Sequence, residues 1–225
     1  YLEAGADVLE IGVPFSDPLA DGPTIQDTTT RALANGADLD YCLDLASAFS
    51  GRVPAVFLLY YNVIFARGVE RFLQEAAEAG VSGLVIPDLP VDEAVRFAEL
   101  ASGAGVAFCP LVAPTSTDRR VSRVGEIATG FVYCVSVAGV TGVRDTLPPG
   151  AVELLRRVRA RTDAPVALGF GIGSAGAAVE AAHEADGIVI GSKLMRLVEE
   201  GGAERAGRWL REVREVLSGV VKAGG

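Results

Sequence analysis

The sequence predicts an α/β fold, a parallel sheet wound into a barrel, on three observations. Short apolar runs rich in Val, Leu, Ile and Ala alternate along the chain with stretches of helical periodicity. The connections between them are short, the pattern of repeated strand–helix units. Half of the 225 residues are apolar and 27 are Gly, which suits parallel strands packed closely under helices. Seven such units follow a leading half-helix, one unit short of a (β/α)8 barrel, which typically takes ~250 residues. The expectation is a single domain over 1–225 that carries strands two to eight of a (β/α)8 (TIM) barrel, incomplete at its N-terminus. The rival is an open doubly wound sheet, whose Gly-x-Gly-x-x-Gly turn follows an early strand. Here Gly169-Phe170-Gly171-Ile172-Gly173 comes late and has the wrong spacing.

Tyr1 to Asp7 reads as the last turn of a helix ended by Gly5. Val8 to Val13 is the first strand, closed by Pro14. Side chains alternate across a strand, so Leu9, Ile11 and Val13 share one face while Val8, Glu10 and Gly12 share the other. Residues 24–35 and 38–50 follow at helical spacing. Pro54 to Tyr61 is the second strand, and Val69, Phe72, Leu73 and Ala76 mark a helix closed by Gly80. Gly83 to Asp88 is the third strand, followed by a helix from Val91 to Ala101 opened by Pro90. Val106 to Val112 is the fourth, with a helix over Ser116 to Ala128 capped by Ser116 or Thr117. Phe131 to Val137 is the fifth; a Gly-rich loop from Ala138 to Gly150 leads to a helix over Ala151 to Ala160. Pro165 to Phe170 and Gly187 to Ile190 are the last two strands. They are followed by helices over Ala175 to Glu184 and from Lys193 onward, the latter striped by Trp209, Leu210, Val213, Val216 and Leu217.

Composition excludes several functions. A net charge of −9 argues against nucleic acid and anionic membrane as partners. No run approaches the ~18 apolar residues of a membrane span, and no signal-peptide pattern opens the chain. Cys42, Cys109 and Cys134 are odd in number and scattered, so they read as core thiols of a reducing compartment, and a cytoplasmic location is expected. With one His and no Cys cluster, a transition-metal site is not expected. The two lysines, Lys193 and Lys222, lie outside the strands, which argues against Schiff-base chemistry. His183, alone on a helix and well away from the strand ends, reads as a surface or interface residue.

What remains is carboxylate chemistry. If helices cover the Ile11 face, Glu10 points into the barrel. None of the seven strands contains a Lys or Arg to neutralise it there, so burial should raise its pKa toward a working acid. Asp21 lies in the loop beyond, placed for acid/base work, although Asp-Gly-Pro is also ordinary turn chemistry. Asp17 reads as a turn or cap residue, and Asp88 as a helix cap or a catalyst. The Gly169–Ser174 and Gly191-Ser192 turns follow the last two strands, the common phosphate site of such barrels. The same glycines also suit tight turns alone. Lys193 could add a charge there or stand in solvent.

The run Leu9-Glu10-Ile11-Gly12-Val13-Pro14-Phe15-Ser16-Asp17-Pro18-Leu19-Ala20-Asp21-Gly22-Pro23-Thr24-Ile25-Gln26 resembles the signature of the tryptophan synthase α subunit family. The likeness continues through Tyr60-Tyr61-Asn62, Pro87-Asp88-Leu89-Pro90, Ala113-Pro114-Thr115, Ala138-Gly139-Val140-Thr141-Gly142, Gly169-Phe170-Gly171-Ile172 and Gly191-Ser192. The resemblance implies a (β/α)8 barrel that cleaves indole-3-glycerol phosphate to indole and glyceraldehyde 3-phosphate, late in tryptophan biosynthesis. It implies Glu10 as general acid/base at the indole C3 and Asp21 as the partner of the indole N–H. It maps the phosphate site onto Gly142, Gly171, Gly191 and Ser192, and the indole pocket onto Leu58, Tyr60, Val85, Leu111 and Tyr133. The loop from Ala138 would close over the substrate with Thr141 near Asp21. A β subunit carrying pyridoxal phosphate is the implied partner in an α2β2 assembly, facing the loop from Phe15 to about Thr28. No cofactor is implied in this chain.

Two departures follow from the same likeness. The family's first ~40 residues, including its first strand, have no counterpart here, so the 225-residue chain alone is expected to be unstable or to aggregate through its open strand edges. Val137 stands where some relatives carry Arg, beside the closing loop. Two other readings account for part of the sequence: a different sugar-phosphate barrel enzyme, which explains the glycines but not the Glu10–Asp21 run, and a non-catalytic activator of the β subunit.

Overall fold

A computed structural model of the chain describes residues 1–135, 147, 149–169 and 171–220. Eight strand segments, all parallel, run β1 (Leu9–Gly12), β2 (Ala55–Leu58), β3 (Val81–Val85), β4 (Ala107–Phe108), β5 (Leu111–Val112), β6 (Val132–Val135), β7 (Val166–Gly169) and β8 (Gly187–Val189). They pair in sequence order as two four-stranded sheets, β1 to β4 and β5 to β8. Helices α1 (Pro23–Ala34) and α2 (Leu39–Phe49) follow β1; α3 (Tyr61–Arg67) and α4 (Val69–Glu78) follow β2; α5 (Val91–Gly103) follows β3. Next come α6 (Asp118–Ile127), α7 (Pro149–Arg159), α8 (Ala175–Glu184) and α9 (Ser192–Ser218), each after its strand. The architecture is that of a (β/α)8 barrel. No ladder joins β1 to β8 among the described residues.

The expected fourth strand, Val106 to Val112, is divided. Cys109 donates its N–H to Leu84 O of β3 at 2.8 Å, whereas the next carbonyl, Pro110 O, accepts from Tyr133 of β6 at 2.9 Å. On the same side as Pro110, Phe108 donates its N–H to Thr129 Oγ1 and its carbonyl accepts from Gly130 N–H. The stave thus bonds β3 through Cys109 and the β6 side through the residues flanking it, and Pro110, which has no N–H, interrupts the strand. Seven staves therefore carry eight strand segments.

The second strand is shorter than expected, because Tyr61 to Arg67 is helical. Its first N–H, that of Tyr61, is capped by the Asp88 carboxylate at 2.8 Å from across the sheet. Asp88 is thus a cap, the structural one of the two roles open to it. Asp88→Ala is expected to cost about 1 kcal/mol, as cap losses do, and the urea midpoint measures it. Other caps are local: Asp38 accepts from Tyr41 N–H, Thr117 from Arg120 N–H and Ser174 from Ala177 N–H. The opening half-helix is a short 3-10 turn, Leu2–Ala4, ended by Gly5 at φ 93°.

Two apolar layers lie between sheet and helices. One gathers Val13, Phe57, Leu59, Ile64, Phe72, Leu84 and Phe108, and the other Val112, Val132, Leu154, Leu155, Leu168 and Val213. Inside the barrel a separate cluster joins Val56, Val85, Cys109 and Tyr133 to Leu58, Leu111, Phe131, Val135 and Val189. Ile11 packs in the outer layer, so its strand neighbour Glu10, in register with Val56, faces the lumen. The register thus fixes where the acid points. Helix α9 breaks at Gly201 and Gly202 (φ 72° at the latter) and folds back, bringing Trp209 and Leu210 against Leu194 and Leu197.

Candidate active site at the barrel mouth

A cavity of 770 Å³ runs between β1 and β8, from Gly5, Asp7 and Asp186 before those strands to the loops beyond their C-terminal ends. Its wall includes Glu10, Asp21, Leu58, Tyr133, Gly171, Gly191 and Ser192. The acid pair and both glycine turns therefore meet in one space, at the end of the barrel where such folds place chemistry. Tyr60, Val85 and Leu111 are not part of that wall: Val85 and Leu111 pack in the lumen cluster behind it, and Tyr60 lies buried under the β1–α1 loop. Val137, Thr141, Gly142, Phe170 and the closing loop from Ala138 lie outside the described residues.

Glu10 is half-buried and lines the cavity, and no Lys or Arg pairs with it among the described residues. Burial pushes its pKa up to about 7, and the nearby Asp21 charge adds to the rise. Both act against the carboxylate, the first by denying it water, the second by repulsion. A carboxylic acid titrating near neutrality can both give and take a proton.

Asp21 is raised by burial as well, but a hydrogen bond from the Tyr60 hydroxyl opposes the rise. The same hydroxyl accepts the Ala20 N–H at 2.9 Å, while the Tyr60 ring stacks on Phe15 at 5.3 Å between centroids. Tyr60 thus grips the loop at both ends of the run that carries Asp21. Its own pKa is pushed up to about 12, chiefly by burial. Tyr60→Phe should therefore raise the pKa of Asp21, shift the acidic limb of the rate profile to higher pH, and lower kcat/KM roughly tenfold. A pH–rate series on the variant checks this. Sequence reasoning missed this role; the aromatic at Phe15, amid Pro and Ser, was its one available trace.

Gly169, expected at the end of a strand and in a turn suited to an anion or to tight turning alone, has a further task. A methyl group at that position would overlap the ring and hydroxyl of Tyr133, so the absent side chain is what lets Tyr133 cross the lumen. At the other edge of the cavity, α9 starts at Ser192 with Gly191 as its N-cap, aiming free backbone N–H groups at the space. Gly171, at φ 84°, takes a backbone shape that a side chain would strain. These turns can hold an anion without a dedicated cationic cage. No group of His, Cys, Asp and Glu suited to a metal occurs among the described residues.

Comparison with known proteins gives the family. The family model described as "Tryptophan synthase alpha chain" matches residues 1–222. The tryptophan synthase alpha chain of Methanosarcina mazei is 45% identical over 222 residues, covering 98% of this chain and 81% of that one. The one from Carboxydothermus hydrogenoformans is 46% identical over 198 residues, covering 87% and 74%. Among solved structures, the tryptophan synthase complex from Pyrococcus furiosus aligns with TM-score 0.86 and 38% identity over 97% of this chain and 89% of that one. Mycobacterium tuberculosis tryptophan synthase aligns with TM-score 0.89 and 38% identity over 99% and 84%. No described helix is long and apolar enough to cross a membrane. With nearly its whole length matched by sequence and by fold, the chain belongs to the tryptophan synthase alpha chain family.

Proposed function

We propose that the chain is a carbon–carbon lyase that cleaves indole-3-glycerol phosphate to indole and glyceraldehyde 3-phosphate. The observation that carries this reading is Glu10, an unpaired acid in the lumen with its pKa near 7, sharing one cavity with Asp21 and two glycine turns. In its acid form Glu10 delivers a proton to the indole C3. The positive charge that develops on the ring nitrogen is met by the Asp21 carboxylate, which accepts the indole N–H. The bond from C3 to the glycerol chain then breaks and its electrons return to the ring. The adjacent hydroxyl becomes the aldehyde as its proton passes to the Glu10 carboxylate, which restores the acid. Leu58 and Tyr133 flank the ring, with Tyr60, Val85 and Leu111 supporting that wall. The phosphate sits on Gly171, Gly191 and Ser192.

The reading extends to a cytoplasmic α2β2 assembly in which the 15–28 loop faces a β subunit. Pyridoxal phosphate belongs to that partner, not to this chain. The test follows indole, or tryptophan with serine added, formed from indole-3-glycerol phosphate in the presence of a cognate β subunit. Turnover by the wild type and its near-loss in Glu10→Gln support the lyase. No turnover by a folded, β-binding wild type would leave a non-catalytic activator in its place.

A further inference from the structure

Lys193 stands at the second position of α9, one residue beyond Ser192, and lines the cavity. Its ammonium lies over the ring of Trp209, 5.7 Å from the centroid. None of the ion pairs among the described residues includes it. The other cation on that turn, Arg196, directs Nε at the Ser192 carbonyl (3.4 Å). Trp209 comes within reach because α9 folds back at Gly201 and Gly202. Side chains of a first helical turn lean toward the N-terminus, so a lysine here can swing from the ring to an anion at the helix end. An ammonium–dianion contact is the stronger of the two, being charge-assisted on both sides.

We propose that Lys193 is a ligand of the substrate phosphate, held on Trp209 when the site is empty and drawn off it when a phosphate monoester binds. This rests on the phosphate placement above, and it adds a mobile cation to a site otherwise built from backbone and Ser192. Trp209 is the only tryptophan in the chain, so its emission reports the move.

The probe is inorganic phosphate, titrated into the full chain while Trp209 fluorescence is followed, with chloride at equal ionic strength as control. The expected result is a saturable change in the wild type, kept in Lys193→Arg and absent in Lys193→Met. With indole-3-glycerol phosphate, Lys193→Met should raise KM about tenfold with kcat within about twofold, the signature of lost uniform binding. The KM effect should shrink as salt screens the contact. An equal fluorescence response in Lys193→Met, no phosphate-specific response in the wild type, or an unchanged KM overturns the proposal. If the wild type fails to cleave indole-3-glycerol phosphate, the lyase reading falls while the phosphate titration still decides the role of Lys193.

Discussion

Glu10→Gln is expected to lower indole formation by roughly a hundredfold to ten-thousandfold, the usual contribution of a positioned acid/base, and at the same time to stabilise the protein at alkaline pH. The second effect follows from the pKa of about 7 in the folded chain against an ordinary value of 4.5. Between those values the folded chain holds a proton that the unfolded chain has released, so stability falls as pH rises through that window. Above pH 7 the loss is complete and amounts to about 3 kcal/mol; below 4.5 both states are protonated and it vanishes. Glutamine has no proton to lose. Urea unfolding of both proteins at pH 4.5 and pH 8 should therefore show near-equal midpoints at the first and a higher midpoint for Glu10→Gln at the second. An equally stable variant at pH 8 would show that Glu10 is solvated rather than held in the lumen, and the acid role would go with it.

Gly169→Ala is expected to lower Tm by roughly 2–12 °C, corresponding to an overpacking cost of about 1–3 kcal/mol. The added methyl meets a ring that has little room to yield, since Tyr133 is 4% exposed and lies 6.2 Å from the Phe131 ring within the lumen cluster. The strain falls on a residue of the cavity wall, so KM should rise as Tm drops. Gly169→Ala combined with Tyr133→Leu should recover part of the stability, because the two positions share one volume. Calorimetry on the single and double variants checks both statements. No recovery would place the strain in the backbone instead.

The strands and most helices were legible because apolar runs and helical spacing are local properties. The direction of Glu10 was legible too: alternation set its face, and the absence of any strand Lys or Arg left it unpaired. Where reading failed, the cause lay across the sheet. Helix α3 is capped by Asp88, 27 residues later in the chain, so nothing at Tyr61 announces it. The fourth stave reads as one apolar run, yet it is split into two strand segments at Cys109 and Pro110, where proline offers no N–H. Tyr60 reads as an aromatic wall residue, whereas its hydroxyl is tied to Ala20 and Asp21. Gly169 reads as a turn glycine, but its value is to Tyr133, 36 positions earlier. Local pattern yields the elements; long-range pairing assigns the duties.

The break in the strand at Cys109 and Pro110 divides the sheet into two leaves of four strand segments each. Residues up to Phe108 supply nearly all of one apolar interior, and residues from Val112 onward supply the other. A backbone cut at that break would leave each leaf with its own interior and one raw edge. The Leu84–Cys109 bond would remain with the first leaf and the Pro110–Tyr133 bond with the second, while the Phe108 bonds to Thr129 and Gly130 would be left to join the two. Reassembly would then be a matter of edge matching, with Glu10 and Asp21 carried by one leaf and the glycine turns of the anion site by the other. Activity would return only when the two halves found each other.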